Sequence, residues 1–436
     1  MATARAVALH ALVELSRGRV DRLREGLVDS GLSPRDQAFA FELAHGVARR
    51  RRLLDHVLAA LCQRGLPKDP RLLDTLRLGA HQLLFVRGMP AHAAVHETVG
   101  LARGNRGFAN AVLRRVAAAI ADRPATDPLR ELPLGPDRCA VLPAPLPADE
   151  LARLSIVHSL PDWLLRRVAA EHGLAGARAV AEAASAAADV FLRFAAAADG
   201  AALRAELDAA GVELQPTAHP LSWRWSGGES PFATAAFRRG DFLAQDPTAL
   251  AAAEAVPCGP GDDVVDLCAA PGSKTARLAE RVRPGGAVAA FDVAPARRAQ
   301  IADNVARLRL GDVVRIVASP AELPTGVAAV LADVPCSNSG VLGRRVEARD
   351  RLQPETFAQM AALQRPLLRQ ALGLCRPGGT VVYSTCSIDG EENGDVVRAV
   401  LADPQAPRAT LRSEATTLPL AGTHDGGYVA VLQRDA

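Results

Sequence analysis

The chain has 436 residues, which is more than one ordinary domain holds, and we expect two or three domains. Its hydrophobic content of 49% is ample for packed cores. No apolar run is long enough to cross a membrane, and the first residues lack the basic-then-apolar layout of a signal peptide. These features exclude the membrane and secreted classes and predict a cytoplasmic protein.

The net charge of +3 is unevenly distributed along the chain. Residues 1–125 hold 20 Arg and Lys against 11 Asp and Glu, so the front of the chain is basic and the remainder is mildly acidic. One interpretation is that the front binds an anionic polymer such as RNA, with the run Arg49–Arg52 contacting phosphates. The other is a solvated helical surface, on which that run only complements a helix dipole.

The seven cysteines show no CxxC pair and no Cys/His spacing typical of a metal site. We therefore predict free thiols and no bound metal.

Residues 1–125 are predicted to be entirely helical. Apolar residues recur every three or four positions over 4–16, 36–62, 71–85, 92–102 and 108–120. Ser33 followed by Pro34 is typical of a helix start. Residues 126–149 are rich in proline and are predicted to be a linker, and residues 150–240 to be a small α+β module.

Residues 241–436 alternate between short apolar strands and amphipathic helices, which predicts a mainly parallel, doubly wound α/β sheet. Three strands end in small, polar or nucleophilic residues. These are 263–267, followed by Cys268 to Thr275; 327–331, followed by Asp333 to Gly340; and 380–383, followed by Ser384 to Ser387. Such strand ends form the ligand edge of an open α/β sheet.

The turn after the first of these strands predicts a nucleotide-like ligand. Its small residues allow close backbone approach, but the turn is neither GxGxxG nor a phosphate-binding P-loop. Asp292 ends the next strand, where a carboxylate holds ribose hydroxyls, or else caps the helix that begins near Pro295. S-adenosylmethionine fits these features better than NAD. Lys274 is one of only two lysines in the chain, and its compact ammonium group suits this turn.

Cys336 and Cys386 each follow a strand end, among polar and small residues. A thiolate that adds to C6 of a pyrimidine makes C5 nucleophilic enough to accept a methyl group, and a second thiol can assist release. Asp333 can hydrogen-bond the N3/N4 edge of the base. A metal site is the competing use of two cysteines, although no third or fourth ligand is evident.

The stretches Asp266 to Thr275, Asp333 to Ser337 and Ser384 to Ser387 resemble the RNA cytosine-C5 methyltransferases of the NOL/NOP/Sun family. Residues 92–99 and 108–115 resemble a NusB-like RNA-binding domain, which narrows the resemblance to bacterial 16S rRNA methyltransferases of the RsmB (Sun/Fmu) type. The resemblance implies a NusB-like domain over 1–125, an RNA-binding module over 150–240 and a Rossmann-like, S-adenosylmethionine-dependent domain over 241–436.

The resemblance also implies roles for individual residues. Cys386 matches the nucleophile, Cys336 the second cysteine, and Asp333 and Lys274 groups beside the reacting base. The implied cofactor site comprises Cys268, Ala269, Ala270, Pro271, Gly272, Ser273, Lys274, Asp292, Ser319 and Asp333.

The chain departs from the family pattern at three places. Ser319 stands where an Asp near the adenine is usual. The turn after Cys336 reads Ser-Asn-Ser-Gly instead of Ser-Gly-Thr-Gly, and residues 425–428 read Asp-Gly-Gly-Tyr, where an aromatic residue is frequent at the third place. None of these departures removes a catalytic group.

We hypothesise an enzyme that methylates C5 of a cytosine in small-subunit rRNA, with RNA as its partner. A tRNA cytosine is the nearest rival substrate. Methylation of an amino group would require an Asn/Asp-Pro-Pro-aromatic turn, and Val334-Pro335-Cys336 differs from it. A non-catalytic RNA-binding factor is the third alternative, and it leaves both thiols unexplained.

Overall fold

The chain folds into two units in the computed structural model, which describes residues 3–27 and 30–436. Unit 1 comprises residues up to Ser185 together with Arg345–Arg351, and unit 2 comprises Ala186–Arg344 and Leu352–Ala436. The chain therefore leaves unit 1 after residue 185, returns to it for seven residues, and leaves it again. The boundary at 185/186 falls inside the module predicted over 150–240, so the four predicted segments do not coincide with the two units, and their boundaries stay predictions.

Unit 1 is mainly helical. Its elements are α1 (Ala4–Ser16), α2 (Pro34–Arg49), α3 (Arg51–Leu61), α4 (Pro70–Phe85), α5 (Ala91–Leu101), α6 (Arg106–Ala118), β1 (Ile120–Ala121), β2 (Glu131–Gly135), β3 (Arg138–Val141), α7 (Glu150–Val157) and α8 (Asp162–Ser185, kinked at Gly173), and α14 (Ala348–Arg351) from the returning segment. Ser33 caps α2 as predicted, since its side chain accepts the Asp36 N–H. Asp69 caps α4 in the same way by accepting the N–H groups of Arg71 and Leu72.

Three predictions for unit 1 need correction. Residues 1–125 are not entirely helical, because α6 ends at Ala118 and Ile120–Ala121 form strand β1. The helix predicted over 36–62 is broken at Arg50, whose φ of −118° and ψ of 17° are not helical. The stretch 126–149, predicted to be a linker, contains the antiparallel hairpin β2–β3, which also pairs with β1. Pro133 and Gly135 interrupt β2, so its sequence shows almost no alternation of apolar and polar residues that would predict a strand. The Glu131 carboxylate accepts hydrogen bonds from Arg123 and from the Thr126 N–H, which tie the hairpin to the chain before it.

The buried guanidinium of Arg349 joins three helix ends within unit 1. Its side chain is only 1% exposed. It donates to the carbonyl of Arg49 at 2.8 Å, to that of His158 at 3.3 Å, and to that of Ala184. These carbonyls lie at the C-terminal ends of α2, α7 and α8, where backbone acceptors lack helical partners and a positive charge is favourable. Val346, from the same returning segment, packs in the hydrophobic core of unit 1.

Unit 2 contains two sheets. A four-stranded antiparallel sheet has the order β5-β6-β4-β7, from β4 (Val190–Phe194), β5 (Val212–Pro216), β6 (Ser222–Gly228) and β7 (Phe242–Ala244), with α9 (Gly200–Ala209) and α10 (Ala235–Arg239) beside it in sequence. The elements that follow are α11 (Pro247–Glu254), β8 (Asp263–Asp266), α12 (Ser273–Val282), β9 (Ala287–Ala290), α13 (Pro295–Arg307), β10 (Val314–Ile316), β11 (Val327–Asp333), α15 (Thr356–Leu374), β12 (Cys375–Thr385), α16 (Gly394–Leu401), β13 (Ala409–Thr417) and β14 (Gly427–Arg434).

The larger sheet has the order β10-β9-β8-β11-β12-β14-β13. Strands β8 to β12 are parallel to one another, and β14 and β13 pair antiparallel at the edge next to β12. This confirms the predicted doubly wound α/β fold, although β13 was not anticipated. Strand order reverses between β8 and β11, which makes their carboxyl ends the switch point where such sheets bind ligands.

We expect Arg349→Ala to lower the free energy of local opening in unit 1 by about 3 kcal/mol, because it leaves one buried and two partly buried carbonyls without their donor. Hydrogen exchange measured by mass spectrometry should show faster exchange in peptides from α2, α7 and α8. Arg351→Ala is the matched control in the same short helix, because Arg351 is half-exposed and forms a surface ion pair with Asp21. Equal exchange in both variants would contradict this role of Arg349.

Candidate functional site

Three neighbouring parallel strands deliver the predicted site residues to one edge of the larger sheet. Leu331 of β11 pairs with Asp266 of β8, and Asp333 of β11 pairs with Ser384 of β12. The strands end at nearly the same level, so the loops that follow them meet. The structure therefore brings together the three stretches that the sequence predicted to form a ligand edge.

The two predicted cysteines lie in contact. The Sγ atoms of Cys336 and Cys386 are 3.0 Å apart, and both side chains are half-buried free thiols. The loops that carry them are bonded to each other, since the Gly340 N–H donates to the Cys386 carbonyl at 2.9 Å. A Cβ atom on Gly340 would lie 2.8 Å from that carbonyl oxygen and 2.7 Å from the Gly426 carbonyl carbon. Glycine is therefore required at 340 for this close backbone approach.

Asn338, where the family pattern has glycine, adds a side-chain contact to this pair. Its φ of +65° is a left-handed conformation, which asparagine tolerates better than most residues. Its Nδ2 donates to the Cys336 carbonyl at 2.9 Å, and its Oδ1 faces the Cys386 thiol at 3.5 Å. The departure from the family pattern thus keeps the turn and gives the Cys386 thiol an acceptor.

A partly buried ion pair lies beside the thiols. Lys274 Nζ donates to Asp333 Oδ2 at 2.5 Å, and the Ser384 hydroxyl donates to Asp333 Oδ1 at 2.7 Å. Burial lowers the pKa of Lys274, but the charge and hydrogen bond of Asp333 outweigh burial, and the net pKa is raised. The ammonium group is therefore charged at neutral pH, with Cys386 close enough to add to this effect.

Two cysteines near these charges are difficult to ionise. The hydrogen bond with Cys386 raises the pKa of Cys336 well above its usual value, and burial and the Glu392 carboxylate raise it further. Burial, followed by nearby Asp266 and Asp333, likewise raises the pKa of Cys268. Both thiols are therefore protonated at neutral pH, and Cys268 acts as a small apolar side chain in the turn.

The predicted cofactor turn connects β8 to α12. Gly272 has a φ of +100°, and its N–H donates to the Ala269 carbonyl at 2.7 Å. Ala269 in turn donates to the carbonyl of Phe291, which follows β9, at 2.8 Å. The turn thus lies against the end of the neighbouring strand, with α12 beginning at Ser273.

Asp292, the predicted ribose ligand, follows β9 and is only 3% exposed. Its Oδ1 accepts the Ala294 N–H at 3.2 Å, and its Oδ2 lies 3.4 Å from the Arg297 guanidinium. The alternative interpretation as a helix cap is wrong, because Ala294 occupies the N-cap position of α13.

Ser319 lies beyond β10, two strands away from β8. Its hydroxyl donates to Glu322 Oε1 at 3.0 Å, so a neighbouring carboxylate is present where Ser319 replaces the usual Asp. Its proposed contact with adenine stays a prediction.

Sequence reasoning missed the carboxylate of Asp266 at the end of β8. Thr275 donates to its Oδ2 at 2.6 Å, but its Oδ1 is buried and has no hydrogen-bond partner among the described residues. Burial raises the pKa of Asp266 to about 7 and overcomes the Thr275 hydrogen bond, and the negative charge of Asp333 raises it further. Together with Asp292, three carboxylates cluster at adjacent strand ends. This arrangement fits a ligand that carries positive charge, as S-adenosylmethionine does at its sulfonium and amino groups.

Two other kinds of feature are absent from the residues that the structure describes. No group of three or more His, Cys, Asp or Glu side chains is arranged there to hold a metal ion. No helix in that part of the chain is long and apolar enough to span a membrane.

Two family models match this chain. The NusB family model matches residues 2–118, and the model described as 16S rRNA methyltransferase RsmB/F matches residues 255–429. The chain is 35% identical to Ribosomal RNA small subunit methyltransferase B of Thermus thermophilus, in an alignment that covers 99% of this chain and 98% of the relative. The chain belongs to the RsmB/F family of 16S rRNA methyltransferases. The resemblance predicted from the motifs is thereby confirmed.

A more distant relative of this RsmB/F-family chain gives the same result. Ribosomal RNA small subunit methyltransferase B of Vibrio cholerae is 30% identical, and the alignment covers 99% of this chain and 96% of the relative. The NusB-like front and the methyltransferase domain therefore occur together along a full-length match.

Solved structures share the fold of this RsmB/F-family chain. The crystal structure of PH0851 superposes with a TM-score of 0.76 at 23% identity and covers 98% of each chain. NSun6 from Pyrococcus horikoshii, solved with SFG, gives a TM-score of 0.57 at 17% identity and covers 63% of this chain and 98% of its own. At these identities the likeness concerns the fold alone.

We expect Asp266→Asn to stabilise the fold in a pH-dependent way. An acid whose pKa is higher in the folded chain destabilises that chain once the pH exceeds the unfolded value near 4, and the cost is complete above about pH 7. The variant should therefore be more stable than wild type by about 4 kcal/mol at pH 8 and nearly equal to it at pH 4. Urea denaturation at both pH values measures the difference.

Asp303→Asn is the control for Asp266→Asn, because Asp303 is an exposed carboxylate in the same unit. It should change stability little at either pH. A stability gain for Asp266→Asn that is equal at pH 4 and pH 8 would show that the buried charge is not its cause.

Proposed function

We propose that this protein transfers a methyl group from S-adenosylmethionine to C5 of a cytosine in 16S rRNA, through a covalent bond between Cys386 and C6. The observation that carries the proposal is the contact between the Cys336 and Cys386 thiols, 3.0 Å apart at the carboxyl ends of β11 and β12. Membership of the RsmB/F family supports rRNA as the substrate class.

The chemistry requires a nucleophile because C5 of cytosine reacts poorly with electrophiles. The Cys386 thiolate attacks C6, a sulfur–carbon bond forms, and the C5=C6 electron pair becomes available at C5. S-adenosylmethionine supplies the electrophilic methyl group when it is bound. A base then removes the C5 proton, the C5=C6 bond re-forms, and the bond to Cys386 breaks.

Cys336 has the properties required of the second thiol. It is protonated at neutral pH, because the contact with Cys386 and burial both raise its pKa, so it does not compete with Cys386 as a nucleophile. Its Sγ lies in contact with the sulfur that must leave C6. We infer that it exchanges a proton as the product is released.

Asp333 and Lys274 would bind the reacting base. Asp333 can hydrogen-bond the N3/N4 edge of cytosine, and the hydrogen bond from the charged Lys274 next to it holds this carboxylate in place. The target base has to leave its stack to reach these groups, as it does in other enzymes that modify bases.

The cofactor would lie at the turn from Cys268 to Lys274, with Asp292 on its ribose. The acidic ends of β8, β9 and β11 complement its positive charge, and Gly272, with its left-handed backbone, has no side chain at the point where the turn enters α12. Ser319 is proposed to lie near the adenine. The basic NusB-like front and the α+β module are proposed to bind RNA.

We expect labelled methyl groups to appear in 5-methylcytosine when unmodified 16S rRNA is incubated with wild-type protein and labelled S-adenosylmethionine. Cys386→Ser should lower this transfer by about 1,000-fold or more, because it removes the nucleophile. Cys336→Ala should retain the bond to C6 and accumulate a protein–RNA adduct that survives denaturing electrophoresis.

Cys258→Ala is the matched control, because Cys258 is a half-buried thiol outside the two cysteine loops. It should methylate normally and form no adduct. Transfer by Cys386→Ser at the wild-type rate would reject the nucleophile, and label in tRNA instead of rRNA would change the substrate. Absence of label from both RNAs would favour a non-catalytic RNA-binding factor.

A further inference from the structure

A single buried carboxylate bonds to both cysteine loops. Glu392, which precedes α16, is fully buried. Its Oε2 accepts the Ser337 N–H at 2.9 Å, and its Oε1 accepts the Ser387 hydroxyl at 2.8 Å. Ser337 follows Cys336 directly, and Ser387 follows Cys386 directly. The carboxylate therefore bridges the two residues that come immediately after the two thiols.

A third donor extends this bridge to the residue before Cys336. Gln364 of α15 donates from its Nε2 to Glu392 Oε2 at 2.9 Å and to the Pro335 carbonyl at 2.9 Å. The peptide segment that carries Cys336 is thus held on both sides of the thiol by hydrogen bonds that lead to one carboxylate.

The backbone of Glu392 is itself fixed to β12. The Tyr383 hydroxyl, buried in that strand, donates to the Glu392 carbonyl at 2.6 Å. Neighbouring Asn393 accepts the Thr385 hydroxyl at 2.6 Å and donates from its Nδ2 to the Ser387 carbonyl at 3.0 Å. The carboxylate is therefore anchored to the strand that leads to Cys386, and it reaches from there to the loop of Cys336.

Burial of this carboxylate costs free energy, because its charge is removed from water. Burial raises the pKa of Glu392, against the hydrogen bonds from Ser337, Ser387 and Gln364 that lower it. Glu392 takes part in none of the ion pairs formed within residues 3–27 and 30–436. Three neutral donors thus compensate the group, and all three connect it to the cysteine loops or to the helix beside them.

We propose that Glu392 is a positioning residue that holds the Cys336 and Cys386 loops together and so keeps their thiols in contact. This positioning role rests on the hydrogen bonds of Glu392, and only its consequence for methyl transfer rests on the proposed function. If cytosine methylation is the reaction, loss of Glu392 lowers the rate of the chemical step and leaves the affinity for RNA nearly unchanged.

Side-chain length separates this role from a simple requirement for charge. In Glu392→Gln the side chain keeps the same reach, with its carbonyl oxygen toward Ser337 and its amide group donating to the Ser387 oxygen. An aspartate keeps the charge but is one methylene shorter and cannot reach both loops. Glu392→Gln should therefore behave like wild type, whereas Glu392→Asp and Glu392→Ala should not.

The test uses phenylarsine oxide, which forms two arsenic–sulfur bonds with a close pair of thiols and releases water. Its affinity for the full-length protein is measured by competition with a free dithiol and by intact mass. Wild type and Glu392→Gln should bind it equally within about threefold, and Glu392→Ala and Glu392→Asp about tenfold more weakly, the effect of losing one buried hydrogen-bonded group. Cys336→Ser and Cys386→Ser identify the thiols that capture the reagent.

Glu280→Ala is the matched control for general destabilisation. Glu280 is a nearly buried carboxylate of unit 2 that holds Arg193 and Arg277, outside the cysteine loops. Its variant should retain the wild-type affinity for the arsenical. Equal loss in Glu280→Ala and Glu392→Ala, or wild-type affinity in Glu392→Ala, would overturn the proposal. If Glu392→Ala does not fold, the other two variants decide. Weaker binding of the arsenical by Glu392→Asp than by Glu392→Gln would support the proposal, and equal binding would overturn it.

Single-turnover methylation of rRNA by the same variants distinguishes this proposal from the proposed function. Slower transfer with unchanged RNA affinity in Glu392→Asp supports both. If the variants bind the arsenical in the expected order but the wild-type protein methylates no cytosine, the positioning role is supported and the proposed reaction is rejected.

Discussion

The contact between the two thiols depends on the parallel pairing of β11 with β12. Asp333 and Ser384 are partners in this pairing, and the Val334 N–H continues it by donating to the Ser384 carbonyl at 3.0 Å. Because side chains alternate between the two faces of a sheet, a slip of one residue would turn each strand-end side chain to the opposite face. The pairing of β11 with β8 likewise brings Asp333 to Lys274. The register of three strands therefore determines which groups can react together.

Much of this edge could be predicted because its signals are local. Each strand is a short apolar run that ends in polar residues, and parallel strands necessarily place such ends at one edge. The proximity of Cys336 to Cys386, and of Lys274 to Asp333, follows from that rule once the strands are neighbours. The roles of these residues in catalysis stay predictions, since geometry alone does not identify a nucleophile.

The features that escaped prediction depend on contacts between residues distant in sequence. The break at Arg50 follows a helix end whose carbonyl accepts a hydrogen bond from Arg349, 300 residues further on. The orphan oxygen of Asp266 and the bridging carboxylate of Glu392 are recognisable only when burial and partners are known. A glutamate in a polar stretch after a strand carries no local signal that it is buried or that two loops enclose it.

The returning segment Arg345–Arg351 has a consequence for the synthesis of the protein. It belongs to unit 1, although residues of unit 2 precede and follow it in the sequence. Chains emerge from the ribosome N-terminus first. Helices α2, α7 and α8 therefore lack the hydrogen bonds from Arg349 until well over half of the chain has been translated. Strands β8 to β11 have been made by then. The N-terminal unit is therefore completed late, after β8 to β11 have been made but before β12 and Cys386.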